Sequence, residues 1–312
     1  MQLLFLSYYF RPDLSAGSFR ATALTEALDG SLAPSSRIHV ITTQPNRYKS
    51  FRAAALPEER TGRTTIVRLP TRSHASGLLD QSIAFVSFAA RALWHAFRTP
   101  CDGVFATSSR LFTAFLGAVV ARLKGVPLYL DIRDIFVESI EPLLPAPARP
   151  IAMPLLRAIE RFTIRSARKV NLVSEGFRDY FEQRYPQVAF GYIPNGIDRE
   201  FLDAAAAQPP QPARRILLYA GNIGEGQGLH RVVPEMARQL ASEFDIVIVG
   251  DGGRRAALAG ATAGLSNVRI LAPVERAELR ALYDQASVLF LHLNDMPAFT
   301  RVLPSKVFEY AA

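Results

Sequence analysis

Two doubly wound α/β domains joined by a hinge are predicted by three features of this 312-residue sequence. Short apolar runs alternate with longer helical patterns through the first two hundred residues. The alternation breaks at DAAAAQPPQPARR, 203–215, where alanines and prolines show no apolar period. It then restarts and runs on through PSKVFEYAA, 304–312. Strands separated by helices require right-handed crossovers and a parallel sheet, and the length suits two domains of ordinary size.

The elements follow in order. LLFLSYY (3–9) has the continuous apolar character of a buried strand, and SFRATALTEAL (18–28) that of a helix. IHVITT (38–43), TTIVRL (64–69), GVFAT (103–107), PLYLDI (127–132) and KVNLVS (169–174) are the further strands of the first half. Helical stretches lie near 78–98, 110–123, 151–168 and 175–184. After the break come RILLYAG, a helix from 228, FDIVIVG, a short helix, NVRILA, a helix over 275–285, SVLFLHL, and a terminal segment opened by Pro304, a residue suited to the first turn of a helix. The predicted boundaries are therefore a first domain over 1–202, a linker over 203–214 and a second domain over 215–312. In such sheets ligands gather at the carboxyl ends of the strands, and a cleft between two halves is the expected site.

Composition narrows the function. The formal net charge is +8. Residues 201–312 hold 11 basic and 11 acidic residues, so the whole excess falls in the first 200. A basic half favours an anionic partner such as nucleic acid, phosphate or an anionic membrane leaflet. Nucleic acid is the weakest of these, because the basic residues are not interleaved with aromatics on a known module. The single cysteine, Cys101, rules out an internal disulfide and suits a reducing compartment. The start of the chain lacks the features of a signal peptide, and its longest apolar run, 111–121, is too short to span a bilayer. The expectation is a cytoplasmic protein. The five histidines, 39, 74, 95, 230 and 292, have no metal-ligand spacing, and neither a G-x-S-x-G elbow nor a G-x-x-x-x-G-K-[ST] loop occurs. These absences weigh against hydrolase, ATPase and metal-dependent readings, and no metal or cofactor is expected.

YAGNIGEGQGLHRVV (219–233) runs from a strand through Gly221, Gly224, Gly226 and Gly228 into a helix. Backbone free of side chains can approach an anion, and the helix start offers free N–H groups and a positive dipole end. A phosphate-binding loop is the sharper reading, an ordinary strand-to-helix turn the plainer one. VGDGG (249–253) follows another strand. It lacks the third glycine of a dinucleotide fingerprint, since position 255 is Arg, and reads as a tight turn near a base pocket, with Asp251 in it. Lys306 and Glu309 share a helix face. The lysine suits a phosphate and the glutamate a sugar diol, unless the two form an exposed ion pair. In the first half, SYYFRPDLSAGSFRATAL (7–24) places Gly17 and Ser18 where a helix begins. LDIRDIFVES (130–139) ends a strand with Asp131, Arg133, Asp134 and Glu138, charges that are costly in a cleft unless paired or functional. A structural Arg–Asp pair is the alternative there. IPNGID (193–198) reads as a turn about Asn195-Gly196.

Two helices carry basic and apolar stripes. In 151–168, Arg157, Arg161, Arg165 and Arg168 recur every three or four residues, with Leu155, Leu156, Ile159 and Phe162 on the other side. In 78–98, Ile83, Val86, Ala90, Trp94 and Phe97 form one stripe beside Arg91 and Arg98. Such helices either lie in the interface of an anionic bilayer or pack on the core with a solvated basic face.

The ordered set YYFRPDLSAGSFRATAL, DIRDIFVES, SEGF, IPNGID, YAGNIGEGQGL, VGDGG and PSKVFEYAA resembles glycosyltransferase family 4, and the likeness extends over nearly the whole chain. It implies a retaining enzyme of the GT-B fold, with two Rossmann-like domains facing a cleft. The subgroup the chain looks like includes bacterial transferases of cell-surface polysaccharide synthesis, such as fucosamine and N-acetylglucosamine transferases, which use nucleotide sugars, often with lipid-linked acceptors at the inner membrane. The resemblance implies a nucleotide-sugar donor bound in the second domain by Gly221, Asn222, Gly224, Gln227, Gly228, Asp251, Lys306 and Glu309. Glu309 matches the glutamate that holds the ribose. Asn222 and Gln227 stand where the family places an Arg and a Lys on the diphosphate, with Lys306 as the replacement cation. The other glutamate of the motif falls at Arg301, with Asp295 a possible substitute.

The acceptor is expected in the first domain near Gly17, Ser18 and Arg20, with catalytic groups drawn from Asp131, Arg133, Asp134 and Glu138. No catalytic histidine is expected, since Arg133 lies nearest that position. Family members continue past the PSK stretch with further βα units and a last helix, so the second domain is expected to be incomplete. The implied setting is the inner membrane face, with an anionic surface touched by 78–98 and 151–168. A nucleotide-sugar 2-epimerase of the same fold and a non-catalytic sugar-nucleotide-binding or scaffold protein are the competing readings.

Overall fold

The protein is described by a computed structural model at residues 1–48, 54–71, 78–108, 111–197, 201 and 214–312, without the side chains of 78–82, 111, 143 and 298. It forms two compact units. One contains Met1–Arg47, Ala53–Asn195 and Thr300–Leu303, the other Tyr48–Arg52, Gly196–Phe299 and Pro304–Ala312. Most of the linker expected over 203–214 lies outside the described residues.

The first unit is built on strands β1 (Gln2–Leu6), β2 (Arg37–Thr43), β3 (Glu58–Thr61), β4 (Thr64–Leu69), β5 (Gly103–Thr107), β6 (Leu128–Ile132), β7 (Lys169–Leu172) and β8 (Phe190–Tyr192). They form one sheet in the order β3-β4-β2-β1-β5-β6-β7-β8. Every pair is parallel except β3 with β4. Its helices are α1 (Ala16–Ser31), α2 (Leu78–Arg98), α3 (Leu111–Lys124), α4 (Phe136–Ile140), α5 (Arg149–Ser166) and α6 (Arg178–Arg184).

Both faces of the sheet are covered, which is why its central strands are continuous apolar runs rather than alternating ones. Leu4 and Leu6 of β1 pack in a core with α2 and α3, while Phe5 packs with Ala21 of α1 and Ile38 and Val40 of β2. Helix α3 lies close on the sheet because residue 117 is glycine: a Cβ there would stand 2.5 Å from Ala106 Cβ. Helix α1 starts two residues before the expected point, capped by Ser15, whose Oγ accepts from Ser18 N at 3.2 Å. Such a cap contributes about 1 kcal/mol. Strand β1 stops at Leu6, short of the expected Tyr9, and Ser7 Oγ turns to donate to the Tyr9 carbonyl.

The second unit holds β9 (Arg215–Ala220), β10 (Phe244–Val249), β11 (Val268–Leu271) and β12 (Val288–Leu289) in the order β11-β10-β9-β12, all parallel. Its helices are α7 (Leu229–Gln239), α8 (Arg255–Ala261), α9 (Arg276–Gln285) and α10 (Lys306–Ala311). Alternate residues of β9 face opposite layers. Leu217 and Tyr219 pack with Leu229 and Val233 of α7, and Leu218 and Ala220 with Leu279 and Leu282 of α9.

Candidate functional site

In the second unit, β9 delivers Gly221 to the carboxyl end of the sheet. A short 3₁₀ turn over Glu225–Gln227 then leads through Gly228, at φ +59°, into α7. Gly221 has φ +142°, a conformation that side-chain-bearing residues rarely adopt, and a methyl group there would collide with Nζ and Cε of Lys306. The first residue of α10 thus lays its ammonium on the glycine turn. That ammonium also stands 5.1 Å from the centroid of the Tyr219 ring, a cation–π contact.

Glu309, one turn along, accepts from the Tyr283 hydroxyl at 3.2 Å, and the Tyr310 hydroxyl accepts from Ala220 N at 3.2 Å. Burial raises all three tyrosines, Tyr310 to about 12, so these hydroxyls stay protonated at neutral pH. The expected donor residues Gly221, Lys306 and Glu309 are therefore neighbours in space, although up to 88 positions apart in sequence.

Asn222 and Gln227 pair with each other. Asn222 Nδ2 donates to Gln227 Oε1 at 2.7 Å, and Gly224 N donates to the same oxygen at 3.2 Å. The two amides brace the loop in place of the cations that the family places there. Glu225 is held between Arg231 and Arg254. Asp251 follows β10; its backbone carbonyl accepts from Ile223 N at 2.9 Å and its Oδ1 accepts from Gly252 N at 2.8 Å, which ties the VGDGG turn to the glycine turn.

Sequence reasoning missed His292 and Asn294. They follow β12, and the rule that ligands gather at strand ends could have pointed to them. The ring Nδ1 of His292 donates to the Gln227 carbonyl at 2.8 Å, and Asn294 N donates to the Gly226 carbonyl at 2.8 Å.

In the first unit the expected catalytic cluster divides. Asp131 is 2% exposed, and both its oxygens are occupied: Oδ2 accepts from Arg20 Nε at 2.9 Å, and Oδ1 from Arg20 Nη2 at 2.9 Å and Asn171 Nδ2 at 2.8 Å. Arg20 further donates to the carbonyls of Pro194 and Ile193, and Asn171 Oδ1 accepts from Ile193 N. In this clasp each Asp131 oxygen already accepts a hydrogen bond, and the Arg20 guanidinium fastens α1 to the chain leaving β8. The Arg–Asp pair considered within 131–138 forms, but with Arg20 as the arginine.

Glu138 is likewise engaged, since Arg301 Nη1 donates to its two oxygens at 3.1 and 3.0 Å. Arg301, at the family's glutamate position, also gives its carbonyl to Ser174 Oγ at 2.6 Å and packs on Gly176. Arg133 donates its backbone N–H to Ser108 Oγ at 2.8 Å, and its Nη1 is buried without a partner among the described residues. Asp134 keeps a water-accessible face. Surrounding protein raises its carboxyl to about 6 against the pull of Arg133. Of the three expected carboxylates it is the most exposed to water: Asp131 is buried and Glu138 half-buried.

Gly17 and Ser18 are buried in the first turn of α1, and Ser18 Oγ has no partner among the described residues. Beneath Asp134, Glu160 accepts from the Tyr180 and Tyr185 hydroxyls at 3.1 and 2.9 Å, and burial raises its carboxyl. Among the described residues no group of His, Cys, Asp and Glu has the makings of a metal site.

The outer faces of α2 and α5 are apolar and basic, and the end of α3 adds Arg122 and Leu123. Ile83, Val86, Trp94 and Phe97 of α2 are exposed, as are Leu123 of α3 and Ile151, Leu155 and Phe162 of α5. The stripe expected on 78–98 therefore points outward, while Ala84, Phe85, Phe88, Ala92 and Ala96 fill the inner face. In the α5 stripe Leu156 is buried and Ile159 is half-buried against the same cluster. Phe115 and Phe162 join α3 to α5 edge to face at 5.7 Å. No helix among the described residues is long and apolar enough to cross a membrane.

Residues 16–196 match the family model described as glycosyl transferase 4-like domain. Among solved structures, sucrose-phosphate synthase from Thermosynechococcus elongatus is similar at TM-score 0.66 and 12% identity, covering 99% of this chain and 78% of its own. WaaG, a glycosyltransferase involved in lipopolysaccharide biosynthesis, is similar at TM-score 0.64 and 17% identity, over 94% of this chain and 75% of its own. Anabaena HepE in complex with UDP is similar at TM-score 0.57 and 16% identity, over 93% and 73%. No curated protein sequence matches the chain.

Proposed function

From the premise that the chain belongs to the glycosyl transferase 4-like family, with the fold of the GT-B glycosyltransferases, we propose that it transfers a sugar from a nucleotide-sugar donor to a lipid-linked or glycan acceptor in cell-surface polysaccharide synthesis. The observation that carries this reading is the Lys306 ammonium seated on the Gly221 turn at the start of α7. There a diphosphate would meet backbone donors, a helix dipole and one cation. Those groups act without a metal, and charge growing on the leaving diphosphate is what they stabilise. Glu309 holds the ribose diol, and the VGDGG turn with Asp251 borders the base. A structure solved with UDP in the similar HepE supports a nucleoside-diphosphate ligand. The acceptor lies against the first unit near Gly17 and Ser18, where Asp134 receives its hydroxyl proton, and the donor's anomeric configuration is retained.

The outward stripes of α2 and α5 support seating on an anionic leaflet at the cytoplasmic membrane face. Arg91, Arg98, Arg157, Arg161 and Arg165 flank the exposed apolar residues, and each such cation near an anionic surface contributes about 1 kcal/mol. Trp94 is the only tryptophan in the sequence, so its emission should shift to the blue with phosphatidylglycerol vesicles and not with phosphatidylcholine vesicles.

A thermal-denaturation panel of nucleotide sugars tests the donor site. At least one should raise the midpoint in wild type and fail to do so in Lys306→Ala. An unchanged donor affinity in Lys306→Ala refutes the site. An epimer appearing from donor alone replaces transfer by 2-epimerisation.

A further inference from the structure

Three successive carbonyls of the 3₁₀ turn are bound by one short segment after β12. The Glu225 carbonyl accepts from Asn294 Nδ2, the Gly226 carbonyl from Asn294 N, and the Gln227 carbonyl from His292 Nδ1. A carbonyl can only accept, so His292 carries its proton on Nδ1. Asn294 Oδ1 rests on Gly228, where any side chain would collide with it, and Phe299 packs on Gly226, its Cζ 2.8 Å from where a Cβ would stand. The segment 292–299 therefore fits the turn by shape as well as by hydrogen bonds.

In a trans peptide the C=O and N–H point in opposite directions. Fixing the Glu225 carbonyl against residue 294, while the Gly224 carbonyl accepts from Gly228 N, aims the amides of Gly226 and Glu225 the other way. Successive amides turned to one side make an anion-binding concavity. The family's cation positions are here occupied by the self-paired amides Asn222 and Gln227, so the aim of the backbone donors carries more of the binding.

We propose that His292 and Asn294 are positioning residues for the donor diphosphate: they grip the carbonyl side of the 225–227 turn so that its amide side is preformed for the anion. This rests on the reading of the glycine turn as the donor site. Neither residue touches the ligand, and their effect passes through the turn. The role requires a donor to the Gln227 carbonyl, which a glutamine at 292 supplies and an alanine does not.

The test is calorimetric titration of UDP against uridine, and of GDP against guanosine, with wild type, His292→Ala, His292→Gln, Asn294→Ala and Lys306→Ala. His292→Ala and Asn294→Ala should each weaken the diphosphate by about five- to tenfold, the worth of one lost hydrogen bond. The nucleoside should bind as before, and His292→Gln should recover most of the loss. A merely structural role would weaken nucleoside and diphosphate together, and that result overturns the proposal. So does an unchanged diphosphate affinity in His292→Ala when Lys306→Ala is weakened. If Lys306→Ala is itself unchanged, the donor-site reading fails and this proposal fails with it. Should His292→Ala not fold, His292→Gln and Asn294→Ala still decide: diphosphate-selective weakening in Asn294→Ala with near wild-type binding in His292→Gln supports the proposal, and equal weakening of both ligands refutes it.

Discussion

Replacing Gly221 by alanine tests the seat of Lys306 directly. Gly221 has φ +142°, so alanine there costs about 1–3 kcal/mol in backbone strain. The added methyl collides with Nζ and Cε of Lys306, the far end of a flexible stem, so the lysine swings away and β9 keeps its place. Loss of one charge-assisted contact to phosphate is worth about 1.5–3 kcal/mol, roughly ten- to hundredfold in affinity. Gly221→Ala should therefore lower stability modestly and weaken nucleoside-diphosphate binding about as much as Lys306→Ala does. In the Lys306→Ala background the alanine has no ammonium left to displace. The double-mutant cycle should then show a coupling of about 1–2 kcal/mol in binding. Gly253→Ala, with no heavy atom within 4 Å of the new methyl and no positive φ, serves as the neutral control. Urea unfolding reports the strain and calorimetry the binding. Full additivity of the two substitutions, or undiminished binding in Gly221→Ala, would refute the reasoning.

Other substitutions have equally definite outcomes. Asp13 is 4% exposed and burial raises its carboxyl from 3.8 to about 6, partly offset by the amides of Asn46 and Arg47 that donate to Oδ1. The folded chain thus holds that proton more tightly than the unfolded one. Its contribution of about 3 kcal/mol is fully present below pH 3.8 and lost as pH rises through 6. Relative to Asp13→Asn, wild type should lose stability across that window in denaturant titrations, and parallel curves would contradict it. Asp131→Ala leaves the Arg20 guanidinium without its carboxylate in a largely buried site and should cost about 3–5 kcal/mol, read as a fall in Cm. Gly117→Ala brings a methyl within 2.5 Å of Ala106 Cβ and should cost about 1–3 kcal/mol net of the better helix propensity.

The parts of the molecule written as apolar period were readable in advance. The central strands, α2, α5 and the glycine turn fall close to where the residues put them, because each is a local pattern with a local cause. Strand β3 was not readable. Its sequence, EERT, is wholly polar and is a strand only because β4 offers it an antiparallel edge. The carbonyl grip of His292 and Asn294 depends on residues brought together across about 65 positions, and no local pattern announces that. Asp131 looked like a reactive charge at a strand end and Arg20 like an acceptor contact on the first helix. They satisfy one another 111 residues apart, and only the burial of the carboxylate reveals it. Asp134, three residues on from Asp131, has a similar sequence context and the opposite environment.

The four residues Thr300–Leu303 belong to the first unit although the chain on either side belongs to the second. Val302 packs against the first unit's main core, and Arg301 supplies the counter-charge of Glu138. No one scission can therefore liberate either half intact. A fragment ending at Asn195 would uncover the seat of Val302 and strand a carboxylate, so anyone wishing to study that half in isolation must supply those residues again, as a fused or added peptide.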